Sequence, residues 1–328
     1  MEQWKQEIEC EGNVYGILLQ GTTSHKSDLC RWLKLGLAMG AFVVNIALPV
    51  DANALPNAKA LLAPDKKLTK LVIGTEGADK PWNFTTANAK LDGVEIELAR
   101  LFCEKIQAEC KIIAQEWSAL IPSLLSGKID AIIGRMDITD KRLEVINFTI
   151  PYAVDPYGFV TLEGSPLVSL NSFGDESKHL RLGRDEMADQ LIKQMRPILD
   201  GSTVGIQTGT SGLAFLKRYF PDTVFIRGYS RREQHDIDLD VGRVDAVFVQ
   251  QSTHTTGQTL PSQNGNTLVR VGPSLSGGVL GRGIGLGVRK EDKHLTDQLN
   301  QAIASSIIDG TVGELFIKWL NRDLSPKE

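Results

Sequence analysis

From residue 70 onward, short apolar runs alternate with stretches whose apolar positions recur every three or four residues. Leu71-Val72-Ile73-Gly74-Thr75 predicts a strand, 93–107 a helix, 110–116 a strand, 118–127 a helix, 131–136 a strand and 139–146 a helix. A second series follows, with strands at 203–207, 224–229 and 246–250 and helices at 211–220 and 230–241. Repeated βα units require parallel sheets covered by helices, so the pattern predicts an α/β protein of two similar lobes. The stretch 158–164 and the region after Gln250 are extended and predict two strands crossing between the lobes. The chain then returns near 283 and ends in helices at 294–308 and 311–320. On this reading the first lobe holds 66–159 plus 254–322 and the second holds 160–253. Residues 167–200 interrupt the alternation: Met187, Leu191, Ile192, Met195, Ile198 and Leu199 fall at helical spacing and stop at Gly201. They predict an inserted helix within 174–200, packed on the second lobe as an amphipathic surface helix without a function of its own.

The chain before residue 70 follows another pattern. Residues 35–50 form a 16-residue apolar run without a charge, preceded by Lys26, Arg31 and Lys34 and followed by Ala52-Asn53-Ala54. Basic, apolar, then small-x-small is the order of a secretory signal, and the run falls short of the roughly 20 residues that a membrane-spanning anchor needs. Cleavage after Ala54 is expected, with Ala60 as the second choice. The 34 residues ahead of the run are long for such a signal, which implies that translation starts downstream of Met1. No lipid-accepting cysteine follows the run, so the exported chain is expected free in solution.

Composition narrows the function classes. The 328 residues are 42% hydrophobic, enough for full cores, and 36 basic residues nearly cancel 40 acidic ones. Nucleic acid is a poor partner for a chain without a broad positive field. The five histidines, at 25, 179, 235, 254 and 294, show no ligand spacing, so no metal is expected. Removal of 1–54 takes away Cys10 and Cys30 and leaves Cys103 and Cys110 in an oxidising compartment. The first ends an amphipathic helix and the second begins a strand, so the turn between them can bring both into disulfide range. Two unrelated buried thiols are the alternative.

Three segments carry the chemistry: 73–84 (IGTEGADKPWNF), 116–152 (EWSALIPSLLSGKIDAIIGRMDITDKRLEVINFTIPY), and 204–215 together with 238–250. Together they resemble the family 3 periplasmic solute-binding proteins, the amino-acid receptors of ABC importers. Within these the chain is most similar to the nopaline- and octopine-binding and lysine/arginine/ornithine-binding types. The resemblance covers roughly 66–322. It implies a periplasmic-binding-protein-like type II fold, with two α/β lobes joined by two hinge strands and a ligand captured between them. It also implies a disulfide at Cys103–Cys110, permease subunits as membrane partners, a monomer, and no cofactor.

The same resemblance assigns the site. Arg142 matches the arginine that clamps the ligand α-carboxylate, with Thr139 opening its helix; a desolvated zwitterion requires such a guanidinium. Trp117 matches an aromatic wall. Thr210 and Ser211, after Gly209, match the second lobe's carboxylate-binding loop. Glu76 matches an acid that faces a distal cation in the basic amino-acid and opine receptors. Four positions depart from the usual pattern. Gln250 stands where most members have Asp for the α-ammonium, which suits the secondary amine of an opine. Asp79 replaces an aromatic, Asp137 a serine, and Arg135 a small residue. One reading gives Arg135 a second ligand carboxylate and the aspartates ligand hydroxyls, hence a polyhydroxylated dicarboxylic opine. A second pairs Arg135 with Asp137 and keeps a nopaline- or octopine-like ligand, and an ordinary amino acid is the third alternative.

The glycine-rich 281–287 segment precedes no helix and is no phosphate cradle, and ATP hydrolysis belongs to a partner. The rival function class is an enzyme on the same scaffold, because cyclohexadienyl and arogenate dehydratases resemble this family. Such an enzyme would use Glu76, Asp79 or Asp137 as a pocket acid.

Overall fold

The computed structural model describes residues 5–10, 13–18, 70–183, 186–254 and 266–327, which fall into two units, 1–65 and 66–328. In the first unit β1 (Lys5–Cys10) pairs antiparallel with β2 (Asn13–Leu18). The expected signal run at 35–50 and both cleavage positions lie outside the described residues.

In the second unit β3 (Lys70–Thr75) is followed by the short strands β4 (Ala78–Asp79), β5 (Asn83–Thr85) and β6 (Leu91–Asp92), which form a small sheet of their own. Helix α1 (Val94–Lys105) leads into β7 (Glu109–Ala114), and α2 (Leu120–Leu125) into β8 (Ala131–Ile132). Helix α3 (Asp140–Leu143) and β9 (Asn147–Phe148) complete this stretch. Strand β3 runs parallel to β7 and β8, as repeated βα units demand. Cys103, near the end of α1, and Cys110, in β7, form the expected disulfide with Cα atoms 6.1 Å apart.

Strand β10 (Tyr157–Leu162) begins a second sheet, followed by β11 (His179–Leu182), α4 (Glu186–Leu199), β12 (Thr203–Gln207) and α5 (Ser211–Tyr219). Next come β13 (Phe225–Tyr229), α6 (Arg232–Asp240), β14 (Ala246–Gln250) and β15 (Leu268–Gly277). Its six strands run in the order β11-β15-β10-β14-β12-β13. The chain then crosses back: β16 (Gly287–Val288) sits between β8 and β9 of the first sheet, in the order β7-β3-β8-β16-β9. Helices α7 (Lys293–Ile308) and α8 (Thr311–Leu320) pack with α1 over that sheet. This is the type II architecture of two α/β lobes.

Four local expectations change. The stretch 158–164, expected to cross between the lobes, instead supplies β10, which pairs with β14 and β15 inside the second sheet. Residues 268–277, placed by the sequence with the first lobe, pair with β10 and β11 in the second sheet. The strand expected at 131–136 stops at Ile132, because Arg135 takes a left-handed φ of 52° that no strand accommodates. The insertion adds a strand, β11, as well as its helix. Of the six residues at helical spacing, Ile192, Met195 and Leu199 are buried in the second core together with Ala188; Leu191 and Ile198 are partly buried, and Met187 is exposed.

Candidate functional site

The carboxyl ends of the parallel strands in both sheets point to one seam, the usual place for ligands in open α/β sheets. Glu76 follows β3, and the 133–139 loop follows β8. From the other lobe, the 208–210 loop follows β12, Ser230 to Arg232 follow β13, and Gln250 ends β14. The fold therefore brings all nine candidate residues to the seam region.

Arg142 is buried there. Its guanidinium donates to the Asp137 carbonyl at 2.8 Å and to the Gly209 carbonyl of the opposite lobe at 3.2 Å, and it lies 5.4 Å over the Trp117 ring. Burial pulls its pKa down. The Thr139 side chain caps the short helix α3 by accepting from the Arg142 amide. Gly209 has φ +75°, a conformation that favours glycine, and a Cβ there would stand 3.2 Å from the Trp117 indole nitrogen, a tight contact that would push the ring aside by a few tenths of an ångström. Thr210 caps α5 and Ser211 begins it.

Asp137 is the hub of the seam. Its carboxylate accepts from Ser211 Oγ at 2.5 Å, from Tyr157 Oη at 2.8 Å and from Gln250 Nε2 at 3.0 Å. Burial raises its pKa, against the pull of Arg142, of the Ser211 and Tyr157 hydroxyls and of Arg135. Glu76 crosses the seam to accept from Gln207 Nε2 at 2.6 Å; burial, then the Asp79 charge, lift its pKa to about 7 against the opposing Arg232.

Arg135 takes a place that neither sequence reading foresaw. With a side chain 1% exposed, it meets Asp79 at 3.2 Å and Asp155 at 2.5 Å, donates to Ser252 at 3.0 Å, and stacks 4.7 Å over Trp82. Burial works against its charge, but Asp155 and Asp79 outweigh it and hold the pKa above the ordinary value. Its ion-pair partners are thus Asp79 and Asp155, correcting the pairing with Asp137. Underneath, fully buried Glu95 accepts from the Arg135 amide, from Tyr152 Oη and from Asn83 Nδ2. That clamp holds the left-handed turn in place. Burial raises the Glu95 pKa to about 7.

Sequence reasoning missed Asp155, Tyr157, Ser252, Glu95, Trp82, Gln207 and Arg232. Only Glu95 left a local signal: it shares the apolar face of α1 with Leu98, Ala99 and Phe102 at helical spacing, where a carboxylate is out of place. Two cavities, of about 790 and 420 Å³, flank the seam. The larger is lined in part by Thr139, Arg142, Gly209, Thr210 and Ser211, and the smaller by Asp137, Asp155, Tyr157 and the insertion's Arg181. Among the described residues no cluster of potential metal ligands occurs, and no helix is long and apolar enough to cross a membrane.

Residues 71–322 match the family model of the bacterial extracellular solute-binding proteins, family 3. The chain is 38% identical to the octopine-binding periplasmic protein of Rhizobium meliloti, over 80% of this chain and 93% of that one. It is 30% identical to the L-arginine-binding protein of Pseudomonas aeruginosa, over 85% and 95% of the two chains. A solved periplasmic His/Glu/Gln/Arg/opine family-binding protein from Silicibacter pomeroyi, in complex with lysine, superposes with a TM-score of 0.60 at 27% identity, covering 78% of this chain and all of that one.

Proposed function

Because the chain belongs to family 3 of the bacterial extracellular solute-binding proteins, we propose that it is the periplasmic receptor of an ABC importer, capturing an opine or amino-acid-like carboxylate between its lobes. The exported chain acts as a monomer, needs no cofactor, and delivers its ligand to the permease subunits in the membrane. The observation that carries this reading is the buried Arg142, held between Trp117 of one lobe and the Gly209 loop of the other. A buried guanidinium with only two of its five N–H groups on backbone carbonyls suits a carboxylate, and a carboxylate there would draw both lobes together.

That placement supports ligand-contacting roles for Trp117, Arg142, Thr210 and Ser211. Glu76, Asp79, Asp137 and Gln250 shape the remainder of the cleft, while Arg135 acts from beneath by fixing Asp79. The enzyme reading is the weaker one. Relatives of 30% identity or more are binding proteins, and two of the three pocket acids are already engaged. Asp137 accepts three hydrogen bonds and Asp79 stands beside two arginines, which leaves Glu76, lifted by burial to about 7, as the acid such an enzyme would use. The test is prolonged incubation of the protein with a bound opine or amino acid, followed by mass analysis of what is released. Recovery of the ligand unchanged supports a receptor; conversion to a dehydrated or decarboxylated product overturns it.

A further inference from the structure

The second lobe sends two adjacent cations to the seam that no motif signalled: exposed Arg231, which pairs with Glu116 of the first lobe, and the more deeply buried Arg232. Arg232 opens α6 with a side chain 11% exposed. Its Nε lies 3.6 Å from Asp79 Oδ1 of the opposite lobe, and one terminal nitrogen donates to Gln250 Oε1 at 3.4 Å. Its charge also acts on Glu76, lowering a pKa that burial and Asp79 raise. A protein guanidinium therefore stands among the three groups, Glu76, Asp79 and Gln250, that would otherwise meet positive charge on a ligand.

The neighbouring groups support the same conclusion. Asp79 lies between Arg135 at 3.2 Å and Arg232 at 3.6 Å, one from each lobe. Gln250 turns its oxygen to Arg232 and its amide nitrogen to Asp137, so both ends of that side chain are engaged. Glu76 accepts from Gln207. A ligand guanidinium or ammonium brought to this end of the cleft would stand beside Arg232 in a poorly hydrated space, where like charges repel strongly.

We propose that Arg232 is a specificity-determining residue that stands in for the distal cation of a ligand. The cleft then selects N-substituted amino acids whose distal end is uncharged or acidic, and disfavours guanidino and ammonium side chains. The inference rests on reading the seam as the ligand site.

The test is calorimetric titration of the full-length wild type, Arg232→Gln and Arg232→Lys with L-arginine and with L-citrulline, its uncharged isostere. Arg232→Met serves as a second neutral variant should the glutamine variant melt early. Loss of the charge is expected to tighten L-arginine binding at least tenfold while changing L-citrulline less than threefold, and Arg232→Lys should behave as wild type. Unchanged or weaker L-arginine binding in both neutral variants overturns the proposal. An equal gain in Arg232→Lys also overturns it, because the effect would then come from side-chain size. The underlying reading is judged separately, by wild-type binding to a panel of opines and amino acids. If the wild type binds one of them while the neutral variants gain nothing for L-arginine, only the role of Arg232 fails.

Discussion

Replacement of Arg142 by alanine removes two backbone contacts, at 2.8 Å to Asp137 and 3.2 Å to Gly209 of the other lobe, together with the cation stacked on Trp117. Its larger effect is on a bound carboxylate. Truncating one partner of a buried hydrogen-bonded charge pair strands the other and costs roughly 2–5 kcal/mol. At about 1.4 kcal/mol per factor of ten, affinity should fall by about 30-fold to 4,000-fold. Lysine keeps the charge but not the planar fork, so Arg142→Lys should lie between wild type and alanine. The assay is calorimetric titration of each variant with a carboxylate ligand and with its α-amide, the amide reporting losses unrelated to charge. Amide binding should change less than about threefold, whereas a carboxylate affinity within threefold of wild type in Arg142→Ala would refute the clamp.

Other outcomes follow from the buried network. Arg135→Met should destabilise the fold by about 3–5 kcal/mol in urea unfolding, because breaking a buried pair leaves Asp155 and Asp79 without that guanidinium; a loss below 1 kcal/mol would contradict the pairing. Glu95 and Glu76 are both held by burial near 7, above the ordinary 4.5, so between those values the folded state binds more protons than the unfolded one. Their contribution is complete below pH 4.5 and lost as pH rises through 7, with a slope of up to about 1.4 kcal/mol per pH unit per group. Glu95→Gln should flatten that slope in unfolding measured from pH 5 to 7, and an unchanged slope would count against it. Substituting both Cys103 and Cys110 by serine should cost about 2–3 kcal/mol of stability, since the bridge closes a short loop; unfolding curves of the oxidised, reduced and double-serine proteins report it.

Much of the fold was legible because period and length decide between strand and helix, and the βα alternation decides the sheets. Strands at Lys70–Thr75, Thr203–Gln207 and Ala246–Gln250, and the helix at Lys293–Ile308, fall where the pattern puts them. The pattern failed at Ile133 to Met136, where the apolar run Ala131-Ile132-Ile133 reads as a strand that continues to 136. There a left-handed arginine, held by a carboxylate forty residues earlier, turns the chain into the seam. The site was legible only in part, for a similar reason. Motifs nominate residues by position, but the partners of Arg135 are set by topology: Asp155 lies just before β10 and Ser252 just beyond β14. Arg232 sits in the polar run Arg231-Arg232-Glu233-Gln234, which reads as a solvated helix face until the sheet order carries it to Asp79.

The central claim, that the seam receives a small carboxylate of the amino-acid class, is tested most directly by calorimetric titration of the wild-type protein with a panel of opines and amino acids. The account predicts saturable binding of one molecule per chain by at least one N-substituted amino acid. The absence of binding across the whole panel, from a protein that melts cooperatively, would contradict it.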